Sequence, residues 1–426
     1  MQLKPTLGPV QLTFYSVGVI IGAGVYSVIG AASAIAHEGL WLSFIIGGFV
    51  ALLTGLSYAE MTTSFPAAGA EYSYMRRALP GLPGLSFIVA ITIVIGASAT
   101  ASTVAVAFGG YLREFADIPP AVSALLLLVG CTVLNIVGLR ESSWANILFT
   151  CIEVGGLMLV IAAGFTQPDF TAPLRAPLHI GAVQAAAVLF FVYLGFEEIA
   201  NLSEETRHPV RDIPRAIFFS IGITTVLYVL VALAVLALAK PADLAGSDAP
   251  LALAIENVWP GAGPLMSAIA LFATANTVLI TMIAASRLLF SMGRDGVIHE
   301  SFARLTSRGQ TPAVAAVLTL AAAAILVPLG NVKTLAEASS FSALLAFLAV
   351  NATLIILRYR APGHPRPFRV PFSAGRMPLL PVAAIALIGL LLGLFERGIY
   401  IAGALALLGA AMIYGFQRLL ERNKPR

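Results

Sequence analysis

The sequence predicts an all-α integral membrane protein of 12 transmembrane helices, arranged as a 5+5 inverted repeat in which helices 1 and 6 are discontinuous. Three observations carry that expectation. The 426 residues are 59% hydrophobic and only 11% charged, with a mean hydropathy of +0.92, where an ordinary soluble domain has about 25% charged residues. Apolar runs of about 20 residues, the length that crosses a bilayer, follow one another from end to end. Two of those runs are interrupted at mid-length, and they stand five runs apart.

So apolar a chain needs lipid as the solvent for most of its surface, and in lipid each backbone N–H and C=O must be satisfied within a helix or a closed barrel. The runs are long and do not alternate, which selects helices. Breaks at glycine, proline and charge clusters place the spans at about 9 to 36, 40 to 63, 84 to 111, 120 to 138, 144 to 166, 180 to 202, 214 to 239, 264 to 292, 312 to 330, 333 to 357, 376 to 395 and 398 to 417. No linker or low-complexity segment divides them. The expectation is a single transmembrane domain over 1–426, with repeat one at about 9–166, repeat two at about 180–357 and extra helices at about 376–417.

The net charge of +4 comes from basic residues scattered through short loops, so it points to membrane orientation and not to nucleic acid. With the amino terminus inside, twenty Lys and Arg fall on the cytoplasmic side, from Lys4, Arg140 and Arg308 to Lys424 and Arg426. Five fall outside: Arg113, Arg175, Lys240, Lys333 and Arg397. That asymmetry places both termini in the cytoplasm and the protein in the plasma (inner) membrane. Cys131 and Cys151 lie inside apolar runs, so no disulfide framework is indicated. The histidines, His179 among them, sit in or beside loops without metal-ligand spacing, and neither a metal nor another cofactor is expected. The first run lacks a small-residue cleavage site and reads as a retained span, not a signal peptide.

The interruption of the first span lies in Val19-Ile20-Ile21-Gly22-Ala23-Gly24-Val25. Glycines permit backbone angles that a helix excludes, and a break at mid-membrane is tolerable where the freed groups meet ligand or water. The half-helix that follows starts with free N–H groups and a positive dipole end, suited to a carboxylate. Close packing of small residues is the plainer use of such glycines. The sixth span carries Phe190-Phe191-Val192-Tyr193-Leu194-Gly195-Phe196-Glu197-Glu198. A half-helix ending near Gly195 leaves the carbonyls of Phe191, Tyr193 and Leu194 free to accept from an ammonium group. Amides on one broken helix and carbonyls on the other make a receptor for a zwitterion. The rings of Phe191, Tyr193 and Phe196 would cover it, or pack against lipid and neighbouring helices.

Glu197 and Glu198 stand inside an apolar run, where an ionised carboxylate costs on the order of 3 kcal/mol or more. Glu197 either holds a proton or organises the break. Glu153, alone in the fifth span, either exchanges a proton near neutral pH or is a neutral acid bonded to a facing helix. A sodium site would draw on Thr274, Asn276, Thr277 and Thr281 in the eighth span, but such side chains commonly join helices. A proton therefore ranks ahead of sodium.

Further motifs follow in order: Tyr58-Ala59-Glu60, Phe65-Pro66, Gly69, Tyr72 and Tyr74 after the second span, and Glu204-Glu205, Pro209, Arg211 and Ile213-Pro214-Arg215 around the sixth. Ser286-Arg287, Arg294-Asp295-Gly296 and Thr311-Pro312 end and follow the eighth. Together with Gly22-Ala23-Gly24-Val25 and Gly195-Phe196-Glu197, this series resembles the amino acid, polyamine and organocation transporter superfamily over nearly the whole chain. The resemblance implies the five-plus-five fold of the leucine transporter. It implies a substrate carboxylate on the backbone of Gly22, Ala23 and Gly24, and an ammonium on the carbonyls of Ile20, Phe191 and Leu194. The wider expected binding set is Ile20, Ile21, Gly22, Ala23, Gly24, Phe191, Tyr193, Leu194, Gly195 and Phe196, with Glu153 and Glu197 for proton coupling or gating. Many relatives carry lysine or asparagine where Glu153 stands, so their coupling mechanism does not transfer. Pro365-Arg366-Pro367-Phe368-Arg369-Val370-Pro371 looks like the cationic amino acid branch, in a loop.

The expected function is secondary active transport of an amino acid by alternating access, as a proton-coupled symporter or an exchanger. The alternative is a polyamine or other organic cation, which would leave the first-span amides idle. A channel has no need of two facing breaks, and an enzyme would need a nucleophile or metal set that the sequence lacks. The expected partners are the small-molecule substrate, membrane lipid and a proton, with no nucleic acid. No pattern assigns an oligomeric state.

Overall fold

Helices begin at prolines because the first helical residue has no intrahelical use for its N–H. Pro9, Pro83, Pro120, Pro209, Pro241 and Pro250 each open one. A computed structural model describes residues 7–65, 70–138, 143–175, 177, 180–203, 206–307 and 310–422. Of the positions singled out above, Lys4, Pro66, Gly69, Arg140, His179, Glu204, Glu205, Arg308, Lys424 and Arg426 lie outside the described residues.

In chain order the helices are α1 (Pro9–Ile21), α2 (Gly24–Ala36), α3 (Leu40–Ser64), α4 (Ala70–Ala78), α5 (Pro83–Leu112), α6 (Pro120–Val137), α7 (Ser143–Phe165) and α8 (Ile180–Leu189). Then come α9 (Pro209–Leu238), α10 (Pro241–Gly246), α11 (Pro250–Glu256), α12 (Gly263–Arg294), α13 (Ala313–Leu326), α14 (Val332–Arg360), α15 (Leu379–Leu392) and α16 (Arg397–Arg422). Two 3₁₀ turns, Phe190–Tyr193 and Phe196–Leu202, continue from α8. A two-residue ladder pairs Ser373–Ala374 with Met377–Pro378. Among the described residues nine helical stretches are long and apolar enough to cross a membrane, and Pro9–Ile21, Ala313–Leu329 and Leu379–Leu392 are shorter apolar helices.

The apolar residues are sorted in two directions. Inward, the long helices α5 and α12 pack on each other, α5 also on α14, and α9 receives both α1 and α3. Outward, α6 and α16 present Leu126, Val133, Leu405 and Met412, each more than half exposed. Large side chains of that kind on an outer surface fit lipid as the solvent. The chain is thus a nearly all-helical, multi-pass membrane protein.

One helix starts earlier than the sequence suggested. The seventh span was expected from 214, yet α9 begins at Pro209, with Asp212 in its first turn and Pro214 inside it. Pro214 is the sixth residue of the helix and has no N–H to donate back to Val210 O, so α9 goes without one bond there.

Candidate functional site

Both expected interruptions are present. In the first, α1 ends at Ile21 and α2 starts at Gly24, with Gly22 at φ +28° and ψ −146°. The second is a staged ending. After α8 the chain tightens into the Phe190–Tyr193 turn, Leu194 is extended, and Gly195 takes φ +119° before the Phe196–Leu202 turn. A side chain is strained at either positive φ, which is why glycine stands at both. The two points are in contact. A Cβ built on Gly195 would lie 2.8 Å from Val19 Cγ1 and 3.0 Å from Val19 O, and one on Gly24 would lie 3.0 Å from Val192 Cα. Ile20, Ile21, Ala23, Phe191, Tyr193 and Phe196 are all buried there, and Leu194 is half-buried.

Two expectations need correction. Gly22 is not a free donor at the first break, since its N–H closes α1 on Gly18 O at 3.1 Å. The Phe191 carbonyl is not without an amide partner, since it accepts from Leu194 N at 3.3 Å. Winding the last turn as 3₁₀ shifts each bond back by one residue and so uses a carbonyl that an α-helical ending would leave free. The half beyond the break is likewise 3₁₀ and not α.

Several groups released at the breaks find partners far away in sequence, and one finds its partner two residues on. Ala23 N, at the start of α2, donates to Thr277 Oγ1 of α12 at 2.8 Å. The Tyr228 hydroxyl, from α9, lies 2.9 Å from Ile20 O, 3.1 Å from Val192 O and 3.3 Å from Ile21 O, so one donor joins both breaks. Gly195 N donates to Glu197 Oε2 at 2.9 Å, which puts that carboxylate at the service of the break. Glu153 is 1% exposed. Its Oε1 accepts from Asn276 Nδ2 at 3.1 Å, and its main-chain oxygen accepts from the Tyr26 hydroxyl at 2.6 Å. The acid of α7 is therefore bonded to the residue adjoining Thr277. Of the expected sodium ligands, Thr274 donates back to Ala270 O, while Asn276 and Thr277 face two different partners.

The amino acid permease profile matches residues 7–414. The chain belongs to that family. Among its relatives are the branched-chain amino acid permease BcaP of Bacillus subtilis, 28% identical over 90% of this chain and 86% of the relative. The methylthioribose transporter of the same organism is 28% identical over 89% and 86%. Cationic amino acid transporter 1 of Arabidopsis thaliana is 30% identical over 85% of this chain and 64% of its own length. The protein is a transporter of the amino acid, polyamine and organocation superfamily and not an enzyme.

Around the breaks of this permease the aromatic residues form a wall. Phe196 meets Tyr58 at 5.7 Å and Phe347 at 5.2 Å between ring centroids, and Phe190 meets Phe347 at 5.7 Å. Tyr193 directs its hydroxyl to Phe44 O at 2.7 Å and lays its ring 5.7 Å from that of Tyr228. At the far ends of α3 and α14, fully buried Glu60 receives Arg358 Nε at 3.0 Å, a second Arg358 nitrogen at 2.5 Å and Val370 N at 2.7 Å, with Arg366 Nε 3.5 Å away. Nearby on α4, burial raises the Glu71 carboxyl above its ordinary range, although the Tyr58 hydroxyl, 2.7 Å from it, pulls the other way.

Sequence reasoning passed over Tyr228 altogether. Its signal was a hydroxyl in the middle of an apolar span, which must find an acceptor when buried; nothing local says which.

Proposed function

We propose that this permease carries an α-amino acid across the plasma membrane by alternating access, as a proton-coupled symporter or an exchanger. In this reading the chain crosses the bilayer twelve times, in one domain built from two inverted five-span repeats and two further spans. The substrate carboxylate meets the backbone at Gly22, Ala23 and Gly24, with the amides of Ala23 and Gly24 as donors because Gly22 N stays with Gly18 O. Its ammonium meets carbonyls of Ile20 and Leu194, with Phe191 offering its second lone pair. Ile21, Tyr193, Gly195 and Phe196 shape the surrounding wall.

The observation that carries the reading is the contact between the two breaks, which brings an amide at Ala23 and carbonyls at Ile20, Ile21 and Val192 into one buried place. Such paired discontinuities, presenting opposite partial charges, are how transporters with broken helices hold charged cargo. The family and the relatives named for branched-chain and cationic amino acids support the same cargo class. Glu153 is the favoured proton carrier, because it is buried and bonded to Asn276, the residue that adjoins the partner of Ala23. Glu197 gates by holding Gly195.

Counterflow in proteoliposomes tests this. Vesicles loaded with one unlabelled amino acid, from a panel of neutral, aromatic and cationic ones, should concentrate the same labelled amino acid transiently. A pore would show no counterflow. Putrescine and methylthioribose belong in the panel, and counterflow with either in place of every amino acid would overturn the assigned cargo. Glu153→Gln should remove the pH dependence of uptake while binding persists; unchanged pH dependence in that variant would take Glu153 out of the coupling role.

A further inference from the structure

Both polar ends of the site proposed for the zwitterion are met by the protein's own hydroxyls, and each has the right polarity. At the amide end Thr277 Oγ1 accepts from Ala23 N at 2.8 Å, as a carboxylate oxygen would. At the carbonyl end the Tyr228 hydroxyl donates among Ile20 O, Val192 O and Ile21 O at 2.9, 3.1 and 3.3 Å, as an ammonium would. The two side chains come from α12 and α9, neither of which is broken, so they can act without belonging to the moving breaks.

We propose that Thr277 and Tyr228 stand in for the cargo's carboxylate and ammonium, so that this permease can return across the membrane without cargo and perform net transport instead of obligatory one-for-one exchange. The proposal rests on the zwitterion reading above. A buried donor or acceptor left without a partner is costly. A carrier whose break groups had only cargo as a partner would therefore reorient far faster loaded than unloaded, and would exchange. Here the unloaded form keeps its hydrogen bonds.

Each stand-in can also yield. A helical threonine has two favoured rotamers, one of which bonds back to the carbonyl three or four residues earlier. Thr277 displaced by a carboxylate thus has the Ala273 carbonyl to turn to. Tyr228 has one proton and three acceptors within reach, so it can turn to Val192 O or Ile21 O while an ammonium takes Ile20 O. The exchange of partners requires side-chain rotation only.

The test uses the full-length protein in proteoliposomes, with an equimolar mixture of tritiated leucine, phenylalanine and arginine as the probe. Net uptake is measured into vesicles without internal amino acid, and counterflow into vesicles preloaded with the unlabelled mixture. Wild type should show both modes. Tyr228→Phe and Thr277→Val should each lower the ratio of net uptake to counterflow about tenfold, the factor that about 1.4 kcal/mol represents. They should also lower the half-saturating concentration in counterflow, because the internal competitor is gone. Thr277→Ser should restore the ratio. Counterflow without net uptake in wild type, or variants that depress both modes alike, overturns the proposal alone. Counterflow with none of the labels removes the zwitterion reading, and the proposal with it.

Discussion

The centre of the bundle and the ends of α3 and α14 solve the same problem of buried polar groups in opposite ways. At the centre, backbone amides and carbonyls are held mainly by single bonds to neutral hydroxyls, from Thr277 and Tyr228. At the ends, one carboxylate, Glu60, gathers two nitrogens of Arg358 and the Val370 amide, and Arg358 reaches on to Ser373 Oγ at 2.7 Å. A neutral hydrogen bond contributes about 1 kcal/mol net. Removing one member of a buried ion pair costs about 3 to 5 kcal/mol. The centre therefore offers bonds that a ligand can take over, and the ends offer a fastening that no ligand of similar size could open. A transporter needs both: a site whose polar groups change partners, and helices that keep their register while it does.

The comparison can be broken most forcefully at the fastening. Arg358→Ala strands the Glu60 carboxylate from its two-nitrogen partner, leaving Arg366 Nε 3.5 Å away as the remaining cation, and should lower stability by up to about 3 to 5 kcal/mol, read as a large drop in the thermal unfolding temperature in detergent. The paired change Glu60→Gln with Arg358→Met should cost less than Arg358→Ala alone; equal losses would mean that Glu60 is not stranded. At the centre, Gly195→Ala forces a side chain into φ +119° with Val19 O only 3.0 Å away. A conformation of that kind costs about 1 to 3 kcal/mol, so stability should fall by less than with Arg358→Ala while counterflow is lost. The smallest effect belongs to Arg113→Ala. Its partner Asp248 lies at 2.8 Å, but the two side chains are 51% and 58% exposed, and exposed pairs contribute about 0 to 1 kcal/mol. An unfolding temperature close to wild type would show that burial, and not charge as such, makes the Glu60 cluster a fastening.

Much of this was legible in the residues, and what was not shares one physical cause. Hydropathy and punctuation placed most helices within a few residues, as with 84 to 111 against Pro83–Leu112 and 264 to 292 against Gly263–Arg294. Gly22 and Gly195 marked their breaks because conformational freedom is a property of a single residue. The 3₁₀ winding after Leu189 was hidden, since choosing between i+3 and i+4 bonds there depends on packing against α1 and α3. Thr277 and Tyr228 were hidden as partners because they stand 254 and 208 residues from the groups they satisfy. Glu60 carried a motif, yet its partner Arg358 is 298 residues on. Local chemistry identifies a group that needs a partner; only the fold says which one it has.

The most direct test of the zwitterion site is competition in counterflow by two analogues of whichever amino acid the permease moves: its N-acetyl derivative, which lacks the ammonium, and its carboxamide, which lacks the carboxylate. Neither should compete at concentrations where the unlabelled parent amino acid abolishes labelled uptake. Competition by the carboxamide as strong as that of the parent would contradict the account, because the amides at the first break would then have no part in holding the cargo.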